Sequence, residues 1–135
     1  MNLKQFLLKL LPKPQPKKLS TVGSGKSYEE IYNDIGRFEY HDDGFTVHLE
    51  LLSKTIRWED ITELNVYKTD LMTTDRIDME IVYGDRYIVI DEELPGWHQF
   101  NIRLNEKIEV TPKDWEWQIV QPPFATNYTT IYRKQ

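Results

Sequence analysis

A mainly antiparallel β domain closed by one amphipathic helix is the fold this sequence predicts, and three observations predict it. Apolar and polar residues alternate with period two from Phe38 to Ile90. Turn signals at Asp42-Asp43-Gly44 and Gly84-Asp85 cut that stretch into short segments. A stripe at helical spacing, Trp97, Phe100, Leu104 and Ile108, then follows the last of them.

At 135 residues the chain suits one domain, and 39% hydrophobic with 13% aromatic content suffices for a core. The single alanine, Ala125, argues against an alanine-rich helical bundle. The lack of cysteine removes disulfides, thiol catalysis and cysteine–zinc sites and fits a reducing, cytoplasmic setting. No cofactor motif is present.

The elements read in order as follows. Residues 1–26 form a flexible basic leader, in which Leu3, Phe6, Leu7, Leu10 and Leu11 fall at helical spacing before Pro12, Pro14 and Pro16 stop any helix. The apolar run is too short to span a bilayer. GSGKS lacks the glycine spacing and context of a phosphate-binding loop and reads as linker. Residues 27–135 form the single folded domain. Ser27 and Glu30 make a capping box for a short accessory helix, with Tyr28, Ile31, Tyr32 and Ile35 on one side and Gly36 as its stop. Six strands follow: RFEYH, FTVHLELL, KTIRW, ITELNVYK, RIDMEIVY and RYIVID. Phe45, Val47, Leu49 and Leu51 are expected on the inner face of the second. Ile77, Met79 and Ile81 are expected on that of the fifth, with Asp78 and Glu80 facing out. Pro95 suits the first turn of the closing helix. Beyond it, WEWQIV alternates as an extra strand, QPPF breaks the pattern, and NYTTIYRK ends the chain with mixed β signals.

The net charge of −5 is uneven. Residues 1–27 hold six of the 17 basic residues and no acid, which leaves 11 basic against 22 acidic residues, a net −11, on the rest. Such a body repels nucleic acid and anionic lipid and attracts basic surfaces. Membrane contact is expected only through residues 1–11, weakly and reversibly.

Asp78-x-Glu80, with Asp70 and Asp75 near in sequence, offers clustered oxygens to a divalent cation, whereas plain solvation of an outer face accounts for the same acids. His41-Asp42-Asp43 is either acid–base equipment or ordinary turn chemistry, and no nucleophile or third ligand accompanies it. His48 faces outward, and no base is seen for His98. The tryptophans occupy patterned core positions, and Tyr67 is an outer-face aromatic able to anchor a partner.

Antiparallel strands ended by one amphipathic helix, over Arg37 to Ile108 and with the W-x-x-I step from Trp58 to Ile61, resemble the pleckstrin-homology-like fold. That resemblance implies two curved sheets forming a partly open barrel that the helix plugs. The stretches WEDITELNVYKTDLMTTD, EELPGW, PPF and IYRK resemble small uncharacterised bacterial proteins, some of them toxin-immunity proteins. The pattern departs from the fold in having six strands before the helix where seven are usual, and in residues 109–135. The phosphoinositide loop of the fold would fall at His41-Asp42-Asp43-Gly44, where acid stands in place of the needed cations.

These readings together predict a non-catalytic protein-binding module for a basic protein, an immunity-type role being one form of it. The contact residues expected are Tyr67, Asp70, Asp75, Asp78 and Glu80. A peripheral membrane adaptor anchored through residues 1–11 is the alternative, and a small metal-dependent hydrolase built on Asp78 and Glu80 is a third.

Overall fold

The computed structural model describes residues 27–135. The expectations for residues 1–26 (leader, membrane-contact segment and linker) lie outside them.

The chain opens with α1 (Tyr28–Asn33). Its capping box forms: the Ser27 hydroxyl accepts from the Glu30 amide at 3.1 Å and the Glu30 carboxylate accepts from the Ser27 amide at 2.9 Å. Three strands follow as an antiparallel sheet in the order β1 (Phe38–His41), β2 (Gly44–His48), β3 (Ser53–Arg57). A single 3-10 turn at Trp58–Asp60 redirects the chain into a second sheet. There β4 (Ile61–Asp70), β5 (Asp75–Tyr83) and β6 (Arg86–Asp91) pair as a meander. Helix α2 (Trp97–Lys107) comes next, then the short α3 (Trp115–Ile119). Finally β7 (Thr129–Arg133) returns antiparallel to β4, giving the order β6-β5-β4-β7. The architecture is mainly antiparallel β with a few helices.

One core joins both sheets and α2. Phe100 of α2 stacks on Phe38 at 4.7 Å between ring centroids and meets Phe45 edge-on at 5.0 Å. Trp97 and Leu104 are buried beside it along the predicted stripe. Fully burying each such side chain stabilises by about 2–3 kcal/mol. The start of α2 is held against the entry to β1 by two glycines. Gly36 has φ +52 and Gly96 has φ +97, and a Cβ on Gly36 would lie 2.1 Å from the Pro95 carbonyl carbon. Gly36 therefore serves this crossing; α1 has already ended at Asn33, with Asp34 as its C-cap.

Three expectations are corrected. WEWQIV is α3, because Trp115 and Ile119, four apart, share its buried side while Trp117 is exposed, and the β4 edge that a strand would need is taken by β7. Leu51 is 93% exposed, since β2 ends at His48 and alternation stops there. Pro95 precedes the N-cap Gly96 and so stands outside the first turn of α2.

Candidate functional site

The outer face of the four-stranded sheet gathers most of the side chains singled out in the sequence. Register places Tyr67 opposite Asp78, and Asn65 opposite Glu80. On the other flank, Asp78 stands opposite Asp91 and Glu80 opposite Val89. Two facing carboxylates repel, and Arg76 answers both. Its Nε and Nη2 donate to the two oxygens of Asp78 at 2.8 and 3.1 Å, and Nη1 lies 3.9 Å from Asp91. The bond to Asp78 raises the affinity of the Arg76 guanidinium for its proton. Asp78 also accepts from the Thr69 hydroxyl at 2.9 Å and is only 4% exposed.

Asn65, buried in the middle of β4, ties three strands together. Its amide donates to Glu63 at 2.9 Å and to Glu80 at 2.8 Å, and its carbonyl accepts from Thr130 of β7 at 2.6 Å. Tyr128 donates to Glu80 at 2.8 Å and stacks on Tyr67 with centroids 5.7 Å apart. Desolvation, then the bond to Glu80, pushes the Tyr128 phenol up to about 12. Hydrogen bonds from Asn65 and Arg133 hold the Glu63 carboxyl below its usual value. Tyr87 and Val89 extend the face on β6, both exposed. The result is a stiff, tyrosine-bearing surface whose carboxylates are braced by one another's partners.

Asp75 does not belong to that surface, contrary to expectation. It stands two residues before Ile77 and thus in phase with Ile77, Met79 and Ile81, so it points inward and is 7% exposed. Its partner is Lys68, in phase with Leu64 and Val66 on β4, at 3.4 Å. The Lys68 ammonium also donates to the carbonyls of Val120 and Pro122 at 3.0 and 2.5 Å, and Asp75 Oδ2 accepts from the Phe124 amide at 2.7 Å. Asp75 Oδ1 is buried without a hydrogen-bond partner among the described residues. This pair latches the segment between α3 and β7 onto the sheet. Asp70 lies at the β4–β5 turn, where its carboxylate accepts from the Met72 amide at 2.7 Å.

The five residues expected to meet a partner thus divide. Tyr67, Asp78 and Glu80 come together, Asp70 caps a turn at the end of the sheet, and Asp75 is core. The acids do not converge on one point: Asp75 and Asp78 lie on opposite faces, and Asp78 is already chelated by Arg76. Among the described residues no group of three or more histidines, aspartates and glutamates is placed to hold a metal ion. The histidines serve local bonds: His41 with Thr46 at 2.8 Å, and His48 with Ser53 at 2.7 Å and Glu39 at 2.8 Å. His98 lies edge-on to Tyr32. Among the described residues no helix is long and apolar enough to cross a membrane.

Sequence reasoning missed Asn65, Lys68, Arg76, Tyr87 and Tyr128. For Lys68 the signal is its phase: a charge in step with Leu64 and Val66 on an alternating strand must find a buried counter-charge, and Asp75 is the acid in step with Ile77 on the next. Tyr128 had no local signal, because its place depends on where β7 docks. Comparison with protein-family models, curated proteins and solved structures finds no match to this chain.

Proposed function

We propose that the chain is a non-catalytic protein-binding module that receives a basic protein surface on the outer face of its four-stranded sheet. One observation carries this reading. Tyr67, Tyr87, Tyr128 and Val89 form an aromatic and apolar centre on a braced sheet, among Glu63, Glu80 and Asp91. Tyrosine supplies contact area at small entropic cost, and surrounding carboxylates select a cationic partner and speed its approach. The net −11 of the body acts in the same direction. An immunity-type protein against a basic toxin domain is the concrete form of this reading. A pleckstrin-homology-like ancestry, supported by the order of antiparallel strands followed by α2, is proposed with it, with β7 as an addition after the helix.

The test is affinity capture with the intact chain, starting with the product of the neighbouring gene, beside a Tyr67→Ala/Tyr87→Ala double variant. The expected partner is net basic, is retained at least tenfold less by the variant (about 1.4 kcal/mol), and elutes earlier as salt rises. A neutral or acidic partner, or one held equally by the variant, would count against the proposal.

A further inference from the structure

A second surface lies among the helices, away from the sheet face. Helix α1 carries a one-sided apolar stripe yet buries none of its residues. Tyr28, Tyr32 and Ile35 are 47, 48 and 46% exposed, and Ile102, one turn beyond His98 on α2, is 44% exposed. A six-residue helix has no independent stability in water. Among the described residues, the bond from Gln99 to the Tyr32 carbonyl at 2.7 Å and the Tyr32–His98 ring contact at 5.0 Å tie α1 to α2. Helix α3 borders the same face: burial and then the charge of Glu116 raise the Tyr32 phenol above its usual value. Trp117, next along α3, is half-exposed. Glu29, Asp34 and Glu116 give this apolar region an acidic rim. The Tyr28 and Tyr32 rings lie 6.4 Å apart, and exposed apolar surface on a small domain marks a place where something binds.

We propose that the occupant is residues 1–11 of the same chain. Four observations converge on it. The segment joins the body at Ser27, the N-cap of α1, so it emerges at the edge of this face. The 16 residues from Leu11 to Ser27 reach about 50 Å when extended, enough to fold back. Its charge is complementary, since residues 1–26 carry six lysines and no acid. Its apolar side chains Leu3, Phe6, Leu7, Leu10 and Leu11 supply what the tyrosines and isoleucines lack. Tethering sets an effective concentration on the order of millimolar, so even weak complementarity keeps the contact populated. The segment then serves the body, and a competing basic partner or anionic surface displaces it.

The lack of cysteine makes the test clean. A nitroxide is attached to Gln5→Cys in the full, ¹⁵N-labelled chain, and paramagnetic broadening of backbone amides is read. Broadening is expected at Tyr32, Ile35 and Ile102, with Tyr87 and Val89 spared. It should be lost in Phe6→Ser/Leu7→Ser and in Ile102→Asp, while the strand amides keep their shifts and so report an intact fold. No localised broadening would overturn the proposal, as would broadening centred on the sheet face. The proposal also falls if the signal appears equally when spin-labelled chain is mixed with separate ¹⁵N chain, which identifies a second copy. It falls too if the helical face stays unbroadened while the chain floats with phosphatidylserine-containing vesicles, which identifies a membrane.

Discussion

The two faces of one sheet treat their charges differently. On the core side, Lys68 and Asp75 form a single buried pair whose other bonds go to backbone groups of the segment at 120–124. On the outer side, Asp78, Arg76, Asp91, Glu80, Asn65 and Tyr128 share bonds across three strands and into the approach to β7. Inside, each charge depends on one opposite partner, so removing either strands the other in low dielectric. Outside, Asp78 is about as buried as Asp75, but its partner Arg76 is partly exposed and has both Asp91 and water within reach. The exposure of the partner left behind, Lys68 inside and Arg76 outside, therefore sets the cost, and shared partners lower it.

The sharpest way to break this contrast is Asp75→Ala. It leaves the Lys68 ammonium buried beside two carbonyls and the Phe124 amide unbonded, and should cost about 3–5 kcal/mol in chemical denaturation. A loss under 1 kcal/mol would mean that the core side is as tolerant as the outer one. Asp78→Ala comes next. Arg76 keeps Asp91 within reach and gains water, so the loss should be about 1.5–3 kcal/mol, in the range of charge-assisted bonds and below that of Asp75→Ala. The reverse ranking would refute the contrast.

The smallest effect is expected from Tyr128→Phe, about 0.5–1.5 kcal/mol at neutral pH, and it also has a pH signature. The Tyr128 phenol is raised to about 12, and burial raises Tyr40 to about 12 as well, with Arg103 opposing. A raised value means that the fold favours the neutral phenol. The contribution is whole below about pH 10 and drains away as pH rises through the folded value near 12. Denaturation midpoints between these limits should fall less steeply in Tyr128→Phe than in the parent. An unchanged slope would place the alkaline loss elsewhere.

Much of the fold is legible in the sequence. Period two locates β1 to β6, and the helical stripe locates α2, because each pattern is a local consequence of backbone geometry. Tyr67, Asp78 and Glu80 are legible for the same reason, Asp78 and Glu80 being out of phase with Ile77, Met79 and Ile81, and Tyr67 with Leu64 and Val66. Asp75 is easily misread although its phase is in plain view, since a carboxylate on a core face makes sense only once Lys68 stands across from it. WEWQIV misleads because both patterns fit it: Trp115 and Ile119 agree with period two and with spacing four, and only the occupied edge of β4 decides between them.

What the sequence determined by itself was the first six strands, the covering helix, the capping box of α1 and the split between a basic opening and an acidic body. Each follows from neighbours within a few residues, through dihedral preference, side-chain period or summed charge. The tertiary structure alone decided that β7 returns beside β4, that Gly36 and Gly96 touch, and that Asn65, Glu80 and Tyr128 form one braced face. Those are pairings between residues up to dozens of positions apart, and no local preference encodes them. They are settled by which distant surfaces exclude water and satisfy buried polar groups together.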